Sequence, residues 1–194
     1  MKNINLHQIM QIALISVISV MSLMGQENTA IQNVVVRVPE VALLELEGRK
    51  GTDIRFAAEG PGEAGMAVDF NNQTNNDLWI NYSSITNKST EPSRDITVQI
   101  TSGSVPSGMV LEVTASKDAG RGEGQVGAPT GTISLNHTAQ SIISGVGSAY
   151  TGHGVSNGHQ LSYRLALSSE KGSYGQLDID QSNTVAIMYT LTDQ

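Results

Sequence analysis

The feature that most constrains the fold of this chain is a period-two alternation of apolar side chains near its end. In residues 184–191, Val185, Ile187, Tyr189 and Leu191 fall on one side of an extended chain, and smaller or polar residues fall on the other. Residues 161–167 repeat the pattern, with leucine or tyrosine at every second position. Both runs predict strands that bury one face in a core, and the run at 184–191 is predicted to close the domain.

Similar runs recur along the chain. Alternation predicts further strands at residues 34–38, 54–58, 78–82, 96–100, 110–115 and 133–135. The glycine-, serine- and proline-rich turn at 102–108 is predicted to join its two flanking strands into a hairpin, and residues 59–66 and 117–129 read as surface loops. About eight or nine short strands at even spacing are typical of an antiparallel β-sandwich. We therefore predict an all-β fold with immunoglobulin-like or related Greek-key topology.

Residues 1–25 have the features of a secretory signal peptide. Lys2 supplies a positive charge, residues 9–24 are apolar apart from one glutamine and small serines, and Gly25 ends a small-residue cleavage point. The alternative is an uncleaved membrane anchor, because an apolar stretch of this reach approaches the length that spans a bilayer. We expect cleavage and export, which leaves residues 26–194 as a single β-sandwich domain.

The charge balance and the lack of cysteine exclude several classes of function. Lys and Arg number 11 against 18 Asp and Glu, so the formal net charge is −7. An acidic surface does not suit nucleic acid, whose phosphates are neutralised by Lys and Arg, and it does not suit anionic lipid. With no cysteine in the chain, disulfides, thiolate metal sites and a cysteine nucleophile are excluded.

The polar residues that could carry chemistry do not form a recognised motif. His153 and His159 flank a glycine-rich turn, and Asp178 and Asp180 are predicted to share one face of a later strand. Together they offer nitrogen and oxygen donors to a metal, but their spacing matches no strong metal-binding signature, and histidines in a turn are more often simply solvated. The glycine-rich stretch 145–158 precedes a strand, so it does not resemble a phosphate loop. We expect no enzymatic activity, no cofactor and no metal site.

The single tryptophan offers a candidate ligand-binding position. Trp79 lies on the opposite strand face from Leu78, Ile80 and Tyr82, and Asn81 shares its face. An exposed indole beside an amide side chain can stack on a sugar ring, which makes Trp79 and Asn81 candidate carbohydrate-binding residues. The alternative is an indole buried in the sandwich.

The second half of the chain resembles secreted bacterial β-sandwich proteins of the fimbrial-subunit and spore-coat-U-like kind. The resemblance is carried by ITVQITSGSVPSGMVLEV, by the glycine-rich segment before LSYRLAL, and by the closing TVAIMYTLTD. It departs from many members of that group in having no cysteine. The resemblance implies a structural or adhesive surface subunit that is secreted, periplasmic or at the cell surface, and that associates with itself or with other surface subunits. A glycan-binding module of the cell surface or periplasm is the alternative function.

Residues 31–38 then have two interpretations. They alternate valine with other residues and precede Pro39, which cannot donate a ladder hydrogen bond. If subunits assemble by strand donation, this run is the candidate donor strand. Otherwise it is the first strand of its own sandwich.

Overall fold

A computed structural model describes residues 31–70, 73–178 and 183–193 of the chain. Two units are distinguished, residues 1–37 and residues 38–194. The described part of the first unit, residues 31–37, has no regular secondary structure and exposed side chains. The predicted signal peptide at residues 1–25 lies outside the described residues. No helix in the described part of the chain is long and apolar enough to cross a membrane.

The described residues of the second unit form eleven strands and one short 3-10 helix. The strands are β1 (Val41–Gly48), β2 (Thr74–Ile85), β3 (Arg94–Ser102), β4 (Met109–Asp118), β5 (Glu123–Gly124), β6 (Ala128–Pro129), β7 (Thr132–Ser134), β8 (Gln140–Val146), β9 (Ala149–Tyr150), β10 (His159–Leu167) and β11 (Ala186–Asp193). The 3-10 helix spans Ser173–Gln176, between β10 and β11.

The strands form two antiparallel sheets that pack against each other. The larger sheet has the order β5–β9–β2–β10–β4–β7, with β1 paired along the other edge of β2. The smaller sheet has the order β11–β3–β8–β6. The predicted all-β antiparallel sandwich is therefore confirmed. Among the described strands, β1 pairs only with β2 and β11 pairs only with β3, so each of them has a free edge.

The core lies between the sheets and follows the alternation read from the sequence. Leu78, Ile80 and Tyr82 of β2 point inward, as do the alternate apolar residues of β3, β4 and β10. Every second residue of 185–191 packs against this core, as predicted: Val185 from just before β11, and Ile187, Tyr189 and Leu191 from β11 itself. The hydroxyls of Tyr163 on β10 and Tyr189 on β11 lie 2.6 Å apart and join the two sheets by a hydrogen bond.

The predicted hairpin of residues 96–100 and 110–115 is wrong. β3 pairs with β8 and β11, whereas β4 pairs with β10 and β7 in the other sheet. Both strands have an apolar inward face, and placing them in opposite sheets buries these two faces against each other. The connection is an arch between sheets, and its Val105 packs against the core. Gly103, with a φ of 76°, is required there because a Cβ would lie 2.0 Å from the carbonyl oxygen of Thr184.

Other predicted elements also differ in the structure. Residues 34–38 and 54–58 are not strands. Ile54 and Phe56 nevertheless pack against the core from an irregular segment, so their alternation reported burial and not strand pairing. The predicted loop at 117–129 instead contains the end of β4 and the short strands β5 and β6, which pair with β9 and β8.

Candidate functional site

The outer face of β1 and β2 carries a group of polar side chains. Leu44 and Leu46 of β1 pack inward, so the alternate residues Leu43, Glu45 and Glu47 face outward. The register pairs Glu45 with Asn81 and Glu47 with Trp79. Residues predicted to lie on the polar face of β2 are thereby placed beside two carboxylates of β1.

Trp79 and Asn81 are both buried, with 4% of each residue exposed. The guanidinium carbon of Arg49 lies 5.0 Å from the centroid of the indole ring, a cation–π arrangement. The Asn81 Nδ2 donates a hydrogen bond to the carbonyl of Gly154 at 2.9 Å. Burial of the indole is the alternative that the sequence left open, and it occurs on the outer face of the sheet and not between the sheets. The indole offers no open face to a sugar, and a ligand-binding role of Trp79 and Asn81 stays a prediction.

The loop of residues 152–158 lies directly on β2. Its Gly158 has a φ of 61°, and a Cβ at this position would lie 2.2 Å from the carbonyl oxygen of Ile80. Besides the bond from Asn81, the loop is fixed internally by Asn157, whose Nδ2 donates to the carbonyl of His153 at 2.5 Å. The carbonyl groups of His153 and Gly154 are thus held, and the exposed imidazole of His153 lies next to β1.

His153, Glu45 and Glu47 form an acid–histidine cluster at this surface. The imidazole Nδ1 lies 3.7 Å from Glu45 Oε2 and 3.9 Å from Glu47 Oε1. The cluster borders a groove of about 360 Å³, whose lining includes Leu43, Asn81 and Ser83. A second hollow of about 480 Å³ shares Ser83 and is lined further on by Glu123 and by Tyr150, half of which is exposed.

The two histidines weighed as metal ligands from the sequence do not come together. His159 is fully buried in β10, whereas His153 lies on the surface. Asp180 lies outside the described residues. Glu45 and Glu47 are neighbours of His153 that were not predicted from the sequence. The sequence shows only that Glu45 and Glu47 occupy alternate positions of one strand. No sequence pattern predicts that this strand lies beside a loop so distant along the chain.

Residues 154–158 spell Gly-x-Ser-x-Gly, the pattern of a hydrolase nucleophile turn, so the expectation that the chain contains no such pattern is wrong. Ser156 also has a positive φ of 66°. In hydrolases this turn joins a strand to a helix, whereas here it leads into β10. Ser156 is exposed, and no hydrogen bond from it to an imidazole occurs among the described residues. The pattern therefore gives no support to a serine nucleophile.

His159 belongs to a buried polar network beneath the loop. Its Nδ1 lies 2.8 Å from the carbonyl oxygen of Ser116 and so carries the proton, because a carbonyl only accepts. Its Nε2 accepts from the Tyr82 hydroxyl at 3.0 Å, and the two rings are stacked. Burial lowers the pKa of His159, while the nearby Asp118 carboxylate opposes that shift. Burial, together with Asp118, raises the pKa of Tyr82. The network favours a neutral histidine that fixes β10 against β2 and β4.

Arg94 is a second buried polar centre, at the opposite end of β1. Its Nε donates to Asp193 Oδ1 at 2.6 Å, its Nη1 donates to the Val41 carbonyl at 2.6 Å, and its Nη2 donates to Glu40. Nη1 also contacts Ser84 Oγ at 3.3 Å. One guanidinium thereby joins the start of β1, the end of β2 and the end of β11.

The valine segment, residues 31–38, is the third distinctive feature. Its apolar side chains are exposed, including Val35 and Val36, each at 81%. The interpretation of this run as the first strand of its own sandwich is wrong, because no strand is formed there. A run of exposed, alternating valines is uncommon on a monomeric protein surface.

The fold defines the chain as an antiparallel β-sandwich whose described strands leave β1 and β11 as edges. Comparison with protein-family models, with curated proteins and with solved structures gave no match. The resemblance to fimbrial and spore-coat-U-like proteins stays a prediction from the sequence, and function has to be argued from the surface of this chain.

Proposed function

We propose that this chain is an exported structural or adhesive surface subunit that associates with other copies by strand addition. The observation that carries the proposal is the valine segment, which alternates like a strand but forms none and is exposed. An extended segment of this kind gains main-chain hydrogen bonds and side-chain burial when it pairs with the edge of another sheet. The net charge of −7 fits an exported surface protein that binds neither nucleic acid nor anionic lipid.

The sandwich offers edges that could accept such a strand. Among the described strands, the outer edges of β1 and β11 make no ladder hydrogen bonds. Unpaired edges are templates for pairing with another chain. The chain supplies its own closing strand in β11, so a donated strand would extend a sheet that already encloses its core.

Two adjacent valines provide a sharp test of this proposal. Val35 and Val36 are equally exposed, at 81%, so a substitution at either position should have the same effect on the isolated chain. In a paired strand they point in opposite directions, and Val36 shares its face with Val34 and Val38 whereas Val35 shares its face with Arg37. Strand addition therefore predicts that Val36→Asp weakens association by at least about tenfold, the effect of roughly 1.4 kcal/mol, and that Val35→Asp has a much smaller effect.

Association is measured by sedimentation velocity on the chain from residue 26 onward over a range of concentrations, with circular dichroism to confirm folding. Equal effects of both substitutions would indicate unspecific hydrophobic attraction and would contradict strand addition. A chain that stays monomeric at every concentration would contradict the proposal as well.

Glycan binding is the second candidate, and Tyr150 is the observation that favours it. Tyr150 is half exposed and lines the 480 Å³ hollow with Ser83 and Glu123, a combination of an aromatic ring and polar groups that suits a sugar. On this view, Tyr150→Ala abolishes binding on a glycan array, whereas Tyr174→Ala, at another exposed tyrosine, does not. Absence of glycan binding by the parent chain would eliminate this candidate.

A further inference from the structure

We propose that the acid–histidine cluster of Glu45, Glu47 and His153 is a binding site for a divalent transition-metal ion, with Zn²⁺ as the best fit. The site is independent of the proposed assembly, because the valine segment contributes no ligand to it.

The distances in the cluster suit a shared ion better than direct hydrogen bonds. The imidazole Nδ1 is 3.7 Å from Glu45 Oε2 and 3.9 Å from Glu47 Oε1, which is too long for a hydrogen bond. Zinc bonds of about 2.1 Å in tetrahedral geometry place neighbouring ligand atoms roughly 3.4 Å apart. All three ligand atoms already lie within 4.8 Å of one another. Small side-chain rotations would therefore bring them onto one ion.

The backbone that carries these ligands is fixed before any ion binds. Glu45 and Glu47 lie two residues apart on β1, which pairs with β2 along its whole length. His153 is held through the hydrogen bonds of Asn81 to Gly154 and of Asn157 to His153. Asn81 is buried, and its Oδ1 has no hydrogen-bond partner among the described residues. Leaving the Asn81 Oδ1 buried without a partner costs free energy. That cost is consistent with a need for the Asn81 Nδ2 to hold the 152–158 loop in place beside β1.

The donor set discriminates among metals. One imidazole and two carboxylates suit Zn²⁺ and its neighbours in the transition series, whereas Ca²⁺ and Mg²⁺ prefer oxygen donors alone. Three protein ligands leave a fourth position open toward the adjoining groove. The structure offers a comparison in Glu40, Glu91 and Asp193, an all-oxygen group of similar size. There the Arg94 guanidinium already bonds to Glu40 and Asp193. Arg94 therefore neutralises that group in place of a metal ion.

A bound ion would join β1 to the 152–158 loop. β1 belongs to the larger sheet and the loop is bonded to its neighbour β2, so the ion would stabilise the folded chain by an amount that grows with the logarithm of its concentration above the dissociation constant. Because the imidazole must be neutral to bind, affinity should weaken on acidification.

The test is isothermal titration of the EDTA-treated chain, without a polyhistidine tag, with ZnCl₂ and separately with CaCl₂ and MgCl₂. The expected result is one saturable Zn²⁺ site, no comparable Ca²⁺ or Mg²⁺ site, and a rise in melting temperature with Zn²⁺. His153→Ala should remove the site, and Glu47→Gln should weaken it at least about tenfold. His137→Ala is the matched control, because His137 is also exposed and should leave Zn²⁺ binding unchanged.

Tetrahedral Co²⁺ provides a readout that does not depend on stability. Addition of Co²⁺ to the parent should produce visible absorption bands that His153→Ala lacks. Failure of the parent to bind Zn²⁺ at one saturable site, or retention of that site in His153→Ala, would overturn the proposal. Loss of binding in the His137→Ala control would overturn it too, since the site would then lie elsewhere. Because His153 and Glu47 are surface side chains, their substitution should leave the circular dichroism spectrum unchanged.

Discussion

Replacing Arg94 by methionine should destabilise the sandwich more than any other single charge removal among the described residues. Arg94 is 1% exposed, and its guanidinium bonds to Asp193, to Glu40 and to the Val41 carbonyl. Methionine fills much of the same volume and removes all of these bonds. The substitution therefore tests these hydrogen bonds and ion pairs of Arg94, which we call the Arg94 clamp, and leaves the packing almost unchanged.

The magnitude follows from what each partner would do without the guanidinium. Removing one partner of a buried ion pair costs about 3–5 kcal/mol when the other charge stays buried. Here the carboxylates are accessible, since the Glu40 and Asp193 side chains are 68% and 56% exposed, and they can be hydrated after the change. The buried Ser84 hydroxyl also loses its Arg94 contact. We expect a loss of about 3 kcal/mol, at the lower end of that range.

Urea unfolding followed by the fluorescence of Trp79 measures this loss. Trp79 is the only tryptophan and is buried, so its emission reports exposure on unfolding. With a slope of about 2 kcal/mol per molar urea, a loss of 3 kcal/mol lowers the midpoint by about 1.5 M. Arg164→Met is the control, because Arg164 pairs with Glu112 at 2.9 Å on a partly exposed surface and should cost less than about 1 kcal/mol.

Arg94→Lys separates charge from geometry. Lysine keeps the positive charge but cannot reach Asp193, Glu40 and Val41 at once, so its stability should fall between those of the parent and Arg94→Met. A loss below about 1 kcal/mol for Arg94→Met, or one equal to that of Arg164→Met, would refute the reasoning.

Three further predictions concern the core and the loop. The pKa of His159 is lowered in the folded chain, so its contribution to stability is fully present above about pH 6.5 and is lost as pH falls through the folded-state pKa, with a slope of at most about 1.4 kcal/mol per pH unit. His159→Gln should therefore reduce the dependence of the urea midpoint on pH between pH 5 and 8. An unchanged pH dependence would contradict this role. Tyr189→Asp should unfold the domain, because it places a carboxylate opposite Tyr163, and a thermal melt equal to the parent's would show that the inward face of β11 is not needed to close the core. Gly158→Ala should cost more than Gly154→Ala in the same melts, since both have positive φ but only Gly158 faces the Ile80 carbonyl.

The sequence was sufficient for the strands whose inward face is apolar and whose outward face is polar. Residues 78–82, 96–100 and 161–167 lie in strands, and so do residues 186–191 of the run at 184–191, because one-sided burial imposes period two on the sequence. The same period also appears at residues 54–56, where Ile54 and Phe56 reach the core without any strand partner. Alternation therefore reports which side chains are buried and does not by itself report which backbone groups are paired.

Pairing and the candidate site depended on long-range geometry that no local pattern encodes. β3 and β4 are consecutive and are joined by a short turn, yet they lie in different sheets because each has a face to bury against the other. Trp79 was correctly predicted to lie on the strand face opposite Leu78. The side chain that covers its indole ring is Arg49, from the turn after β1, and this contact was not predictable from the sequence. The acid–histidine cluster arises only because the loop at 152–158 folds back on β2 and reaches β1.

β1 determines how a second copy can associate, because it is held at both ends. Arg94 holds its start through Glu40 and Val41, and Glu45 and Glu47 lie beside His153 near its end. Exchange of the whole of β1 between copies would have to break both arrangements. Pairing of the valine segment breaks neither, since Glu40 is the first of the described residues to which Arg94 hydrogen-bonds and the segment precedes it. Association by strand addition should therefore persist in a folded Arg94→Lys chain and in the presence of Zn²⁺, whereas association by exchange of β1 should increase when the clamp is weakened and decrease when Zn²⁺ is bound.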